Sequence, residues 1–432
     1  MKISKILIII LLMLLNSLAI ANNSGLQEKS VKWGLTLRFR FVSWDNAIFL
    51  DNTRETANTF IRHRTNFWFD WKPMNNLRCY IKFTNEFRYY FQPEKKFTFH
   101  EFFPDNIFLQ LDLSKILPIT ITAGRQNIIL GEGFVMMDPN PLDGSRSIYF
   151  NGIRLDAELA EEHTVTMFYI KQPVIDNWLP IVNAQDQLMI EQPEEGMGIY
   201  YKGKGFNIDW EGYAIVKNKL KKENYPPSSI VRTYGGRFII PLRDNIHFTT
   251  EAAMQRGEQD NHTINAWGGY SHLDCNIGEK IPWLTKLSFG AIALSGDDPG
   301  TSDIEGWDPL FSRWPKWSES YIYTLIPETG GKVAYWSNLY SLNSSFEFTL
   351  IEKLKLKLTY HYLGSFYDLA YISSRPYGRG EFRGDLFIAR STFQINKYFK
   401  GHVVFETFYP GSFYSSEADP YKWFRFELMY TL

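Results

Sequence analysis

The chain has 432 residues, a formal net charge of −1 and an aromatic content of 17%, from 34 Phe, 25 Tyr and 13 Trp. Beyond residue 21 no run approaches the roughly 18 apolar residues of a membrane helix, which excludes helical spans. Cys79 and Cys275 are the only cysteines, too few for a disulfide framework, and a near-zero net charge by itself names no partner.

The chain opens with Lys2 and Lys5, an apolar run from Ile6 to Leu15, and Ala19-Ile20-Ala21. This is the pattern of a secretory signal peptide over residues 1–21. No Cys follows the expected cleavage site, so no lipid anchor is expected. Residues 22–30 read as a short polar segment, and 31–432 as one domain.

From Val31 the pattern has a period of two. Trp33, Leu35, Leu37, Phe39 and Phe41 share one parity; Lys32, Thr36, Arg38 and Arg40 share the other. Because a strand alternates faces, this predicts one apolar and one basic face. The same alternation sets Ile61, Phe67, Phe69 and Trp71 against Arg62, Arg64 and Asp70. It also sets Cys79, Ile81, Phe83 and Phe87 against Arg78, Lys82, Glu86 and Arg88. Short polar turns such as Lys72–Asn76 and Ala160–Glu162 alternate with long loops such as 173–193 and 296–334. Lys353 to Leu358 alternates lysine with leucine, and lysines on a lipid face would cost roughly 2–4 kcal/mol each near the midplane. They are expected to face inward or lie at the membrane edge. The last run sets Phe424, Phe426, Leu428, Tyr430 and Leu432 against Trp423, Arg425 and Glu427. The fold class is therefore all-β: a transmembrane antiparallel up-and-down barrel of about 18 strands, with short periplasmic turns and long extracellular loops. A secreted sandwich or propeller would share the alternation, but not the density of aromatic residues.

The stretch from Gly124 to Leu155 carries Gly124-Arg125-Gln126, Asp143-Gly144-Ser145-Arg146 and Gly152-Ile153-Arg154-Leu155. Further on stand Ala293 to Pro299, then Gly384-Asp385-Leu386 and Phe408-Tyr409-Pro410-Gly411. In order and spacing these segments resemble the alginate-export family of outer-membrane barrels. The resemblance implies an 18-stranded monomer passing an anionic polysaccharide outward through an arginine-lined constriction. It also implies periplasmic export partners. The inward parity departs from a strongly basic lumen, since Asp156, Glu158, Glu211, Glu251, Glu347, Glu406 and Glu427 share it.

Arg125, Arg146 and Arg154 are the first candidates for anion contact, because guanidinium stays charged and grips carboxylates with two donors. The alternative is that they pair with Asp138, Asp143 or Asp156 and brace the loop. Arg38, Arg40, Arg62, Arg64, Arg78, Lys82 and Arg88 form a second candidate set along one wall, with an ion-pair ladder to Glu86 and Asp70 as the alternative. The acidic stretch Asp297, Asp298, Asp303, Glu305 and Asp308 reads as turn chemistry. The eight His show no HExxH spacing, so no metal site and no cofactor are expected. There is no nucleophile motif, so no enzyme is expected. Nor is a nucleic-acid partner. The expectation is a channel in the outer membrane of a Gram-negative bacterium, embedded in outer-membrane lipid, for an anionic polysaccharide or related saccharides. The alternative is a general small-solute porin of the same fold.

Overall fold

Eighteen alternating runs become eighteen antiparallel strands that close on themselves. The structure, a computed structural model, describes residues 30–432 apart from 48, 54–56, 138–148, 183–188, 191, 222–226, 280, 313–315, 319–336 and 370–376. The signal peptide and Arg146 thus lie outside the described residues. In chain order the strands are β1 (Ser30–Asp45), β2 (Asn58–Met74), β3 (Leu77–Gln92), β4 (Thr98–Asp112), β5 (Ile119–Gln126) and β6 (Phe150–Ala160). Then come β7 (His163–Gln172), β8 (Glu194–Gly205), β9 (Ile208–Lys219), β10 (Ser229–Arg243), β11 (Ile246–Gln259) and β12 (His262–Asn276). The last six are β13 (Leu284–Leu294), β14 (Leu339–Ile351), β15 (Leu354–Gly364), β16 (Phe382–Gln394), β17 (Phe399–Pro410) and β18 (Tyr421–Thr431).

Each strand pairs with its sequence neighbours, and β1 pairs with β18 from Thr36↔Thr431 to Asp45↔Lys422. Closure leaves no strand edge, so the backbone groups of the wall are satisfied without water. Most turns at the chain-terminal end are tight. Phe206 and Asn207, with φ of 53° and 59°, join β8 to β9. Two positive φ values in a two-residue turn match the twist of the flanking strands. The polar run Lys202–Gly205 before this turn belongs to β8. Residues 93–97 alone join β3 to β4, because the strands keep pairing as far as Arg88↔Thr98.

The outward parity is apolar and exposed: Trp33, Phe39, Phe67, Phe69 and Trp71 on β1 and β2, Met197, Phe238, Trp267 and Phe289 further round. The inward parity is polar over much of the wall. Lys355 and Lys357 face inward, as the lysine–leucine alternation predicts, and Lys355 stands 3.5 Å from Glu347. An even-stranded closed barrel with tight turns at one end, long loops at the other and an apolar exterior is an outer-membrane architecture. The chain is an integral protein of the Gram-negative outer membrane.

Candidate functional site

Two long loops leave the rim and fold into the lumen. One follows β5 and the other follows β13. They pair inside the barrel: the Phe311 amide donates to the Val135 carbonyl at 3.0 Å, and Met136 and Phe311 form a parallel bridge. The first loop turns back through Gly131 and Gly133, at φ of 55° and 78°, a backbone region that side chains with a Cβ avoid. A Cβ on Gly131 would also stand 2.8 Å from the Tyr200 hydroxyl. The turn lets Leu130 donate to the Met136 carbonyl at 3.1 Å and aims Phe134, Val135 and Met136 inward.

These residues build an apolar island inside a polar wall. Phe134 stacks on Trp307 at 5.0 Å and meets Tyr270 edge-on at 5.4 Å. Trp307, Leu310 and Phe311 are buried with them against Phe150, Phe168, Ile170, Ile215, Ile264 and Ile292 of the wall. Gly196 and Gly268 leave room, since a Cβ there would lie 2.4 Å from Phe311 and 2.7 Å from Trp307. Each buried aromatic or aliphatic side chain contributes about 1.5–3 kcal/mol, enough to hold loops that lack a sheet of their own.

Charged groups then fix the loops to opposite sides. Asp308 takes Lys217 at 3.0 Å and Lys219 at 2.5 Å from β9, while its amide donates to Gln255 at 2.9 Å. Ten residues on, the Ser318 hydroxyl donates to Glu406 of β17 at 2.5 Å. β9 and β17 are nearly opposite in an 18-strand ring, so the described anchors of this loop lie on both sides of the lumen. Glu132 of the first loop accepts from Arg237 at 2.9 Å, and its carbonyl accepts from Lys316 at 2.6 Å. Burial pushes the Glu132 carboxyl up, but His272, Lys316 and Arg237 around it outweigh burial and hold it down at about 2. Burial pulls the Lys316 ammonium below its usual range.

Across the lumen stands the basic wall. Register places Glu427, Arg40, Arg62 and Arg88 in one row, and Arg38, Arg64, Glu86 and Glu101 in the next. Arg40 donates to Glu427 at 2.7 Å, with Arg38 at 3.8 Å from the same carboxylate. Arg64 donates to Glu86 at 2.8 Å, and Arg62 grips the other oxygen of that carboxylate. Among the described residues, Glu86 and Glu427 each serve two of these four guanidinium groups. Arg88 lies over the Phe60 ring at 5.3 Å and donates to the Tyr90 hydroxyl. Arg425, which the sequence reading did not single out, joins the wall through His402 at 2.9 Å. Toward the turn end, Arg78 pairs with Asp70 and Lys82 with Asp105, each at 2.8 Å.

The other candidates sit apart. Arg125 is buried at the top of β5, where it donates to Asp176 at 2.6 Å, to Asn151 at 3.0 Å and to the Pro104 carbonyl at 2.8 Å. Tyr149 donates to the same Asp176, and its ring lies 3.7 Å from the Arg125 guanidinium. This ties the loop after β7 to β4, β5 and β6, away from the basic wall. Arg154 pairs with Asp156 at 2.8 Å, half-exposed on β6. In the acidic stretch, Asp297 and Asp298 accept the amides of Glu305 and Gly300 at 2.8 Å each, as turn residues do. No cluster that could hold a metal ion occurs among the described residues.

Beneath the crossing loops a cavity of about 300 Å³ opens on the β12–β15 wall. Glu132, Tyr270, His272, Asp274, Lys286, Lys316, Trp317, Lys357 and His361 line it. Glu132, Arg237 and Lys316 were missed by sequence reading, and Asp308, read there as turn chemistry, pairs with Lys217 and Lys219 of β9. They belong to loops or to strands far apart in the chain, and only the closed ring brings them together.

No family model matches the chain, and no curated protein does. The resemblance to the alginate-export family therefore stands without support. Solved structures do match. OpdK of Pseudomonas aeruginosa, solved with vanillate, shares a TM-score of 0.61 at 9% identity, over 93% of this chain and 98% of that one. OpdQ of the same organism gives 0.59 at 12%, over 93% and 97%. OccK5 (OpdH) gives 0.58 at 12%, over 95% and 99%. At such identities the likeness shows the fold, and that fold is the 18-stranded outer-membrane barrel.

Proposed function

We propose that the chain is an outer-membrane diffusion channel for small anionic solutes, carboxylates foremost, rather than a conduit for a polysaccharide. The observation that carries this is the arginine quartet of β1 and β2, facing a lumen in which one loop is anchored on β9 and on β17. A polymer needs a continuous wide passage. A lumen crossed by anchored loops favours solutes that can pass beside them one at a time. Fixed positive charge in a narrow, partly desolvated passage attracts anions far more than the same charge on an open surface. Guanidinium groups already seated on carboxylates show the contact that a passing carboxylate would exchange. That one of the matching barrels was solved with an aromatic carboxylate, vanillate, agrees with this class of solute.

The test is planar-bilayer recording under a KCl gradient, with uptake of small carboxylates, neutral sugars and oligouronates into proteoliposomes. Anion preference and faster entry of small carboxylates than of neutral sugars are expected. Cation preference, or entry of long oligouronates as fast as of monomers, would overturn the reading.

A further inference from the structure

The lipid-facing surface carries two arginines that the lumen does not use. Arg232 of β10 and Arg256 of β11 stand directly opposite each other in the antiparallel register, and both are exposed. Their chain neighbours Thr233 and Gln255 are buried inside the wall, so the two guanidinium groups project outward. Arg256 donates to the Gln255 carbonyl at 2.8 Å. Among the described residues neither arginine joins an ion pair. Glu258, the next outward residue on β11, lies opposite Ile230 and bridges to neither. Like charges placed directly opposite are unfavourable unless an anion lies over both.

Their height is defined. Arg232 is eleven residues above Arg243 and Arg256 ten above Ile246, the turn ends of their strands. A tilted strand crosses the hydrocarbon in about 9–11 residues, so both sit at the headgroup level of the outer leaflet. Directly below, Tyr234, Met254 and Trp267 form an exposed collar in register. Below that runs a row of small residues across five strands, Gly212, Gly236, Ala252, Gly269 and Ala293, each opposite the next. At about 4.8 Å per strand it forms a shallow trough roughly 19 Å long at acyl-chain depth.

We propose that the outer face of β9–β12 binds the phosphorylated, multiply acylated glycolipid of the outer leaflet, lipopolysaccharide. Arg232 and Arg256 hold a lipid A phosphate from two sides, the collar packs the sugar–acyl junction, and acyl chains lie along the trough. Paired guanidinium groups suit a phosphate because its oxygens accept several donors at once.

Native mass spectrometry of the mature barrel in detergent tests this, with lipid A, dephosphorylated lipid A and phosphatidylglycerol added in turn. Wild-type protein should bind lipid A roughly tenfold or more tightly than its dephosphorylated form. R232S/R256S should lose that margin, and R232K/R256K should keep part of it. Heat-dependent gel mobility identifies folded variants, and the comparison of lipids on wild-type protein needs no variant. Equal binding of the phosphorylated and dephosphorylated forms would overturn the site. So would a preference for phosphatidylglycerol, or a folded R232S/R256S protein within twofold of wild type for lipid A.

Discussion

The Arg237 guanidinium of β10 donates to the Glu132 carboxylate of the loop after β5 at 2.9 Å, and this bond ties the inner loops to the wall. Lys316 of the second loop reaches the same residue twice, at its carbonyl and at 3.8 Å from its carboxylate. Glu132→Gln removes the charge while keeping the shape. Because this carboxylate is about a third exposed, the loss is modest, about 1 kcal/mol in local anchoring. Single-channel records of the variant should show more frequent conductance steps at unchanged barrel stability. A record as quiet as wild type would separate Glu132 from loop anchoring.

The same carboxylate sets a pH window. Its pKa is about 2 in the folded barrel against 4.5 for an ordinary glutamate. A lowered carboxylate pKa contributes stability that is complete above the unfolded value and is lost as pH falls through the folded one. Channel noise should therefore stay flat from neutral pH to about 4.5 and rise between about 4.5 and 2. Glu132→Gln should be noisy throughout and lose this step. A step centred near neutral pH would point to another group.

Arg125 joins two elements of the barrel through a buried ion pair. It and Asp176 are each about 2% exposed or less, in an ion pair between β5 and the loop after β7. Removing one partner of a buried ion pair costs about 3–5 kcal/mol. Arg125→Ala should lower the temperature at which the folded gel band converts to the unfolded one. The double variant R125A/D176A should lose less than R125A alone. Anion selectivity should hold in both. A shift in reversal potential equal to that of the basic-wall variants would return Arg125 to the conduction path.

What the sequence shows and what it hides divide along one physical line. Alternation within a single strand is local, so the eighteen strands, the inward lysines of β15 and the basic parity of β1–β3 can be read from spacing alone. Pairing across the ring is not local. Glu427 meets Arg40 only because β18 closes on β1. Asp308 meets Lys217 only because the loop after β13 crosses to β9. The inward faces of β7, β9 and β12 carry Ile170, Ile215 and Ile264, which weaken the period of two because apolar residues then stand on the inward parity as well. The reason is the apolar island of the loops, which no single strand records. The partner of Arg125 is hidden for the same reason: Asp176 lies on the next long loop.

The basic wall yields the sharpest prediction, because one carboxylate there serves two arginines. Glu86 accepts from Arg62 and from Arg64, at 2.7 Å and 2.8 Å through their Nε atoms. Removing an arginine lowers the positive charge of the wall by one. Removing Glu86 raises it by one and takes from Arg62 and Arg64 the carboxylate they share. The two changes should therefore act in opposite directions on one observable. Arg64→Gln should move the reversal potential under a KCl gradient toward cations, and Glu86→Gln should move it toward anions. Glu86→Gln should also lower thermal stability, since two like charges lose their shared partner in a buried setting. Both shifts should shrink between about 0.1 M and 1 M salt, as the screening length falls from about 10 Å to 3 Å. If Arg64→Gln and Glu86→Gln move selectivity in the same direction, or if neither moves it, the quartet of β1 and β2 is a structural ladder and not the element that selects anions.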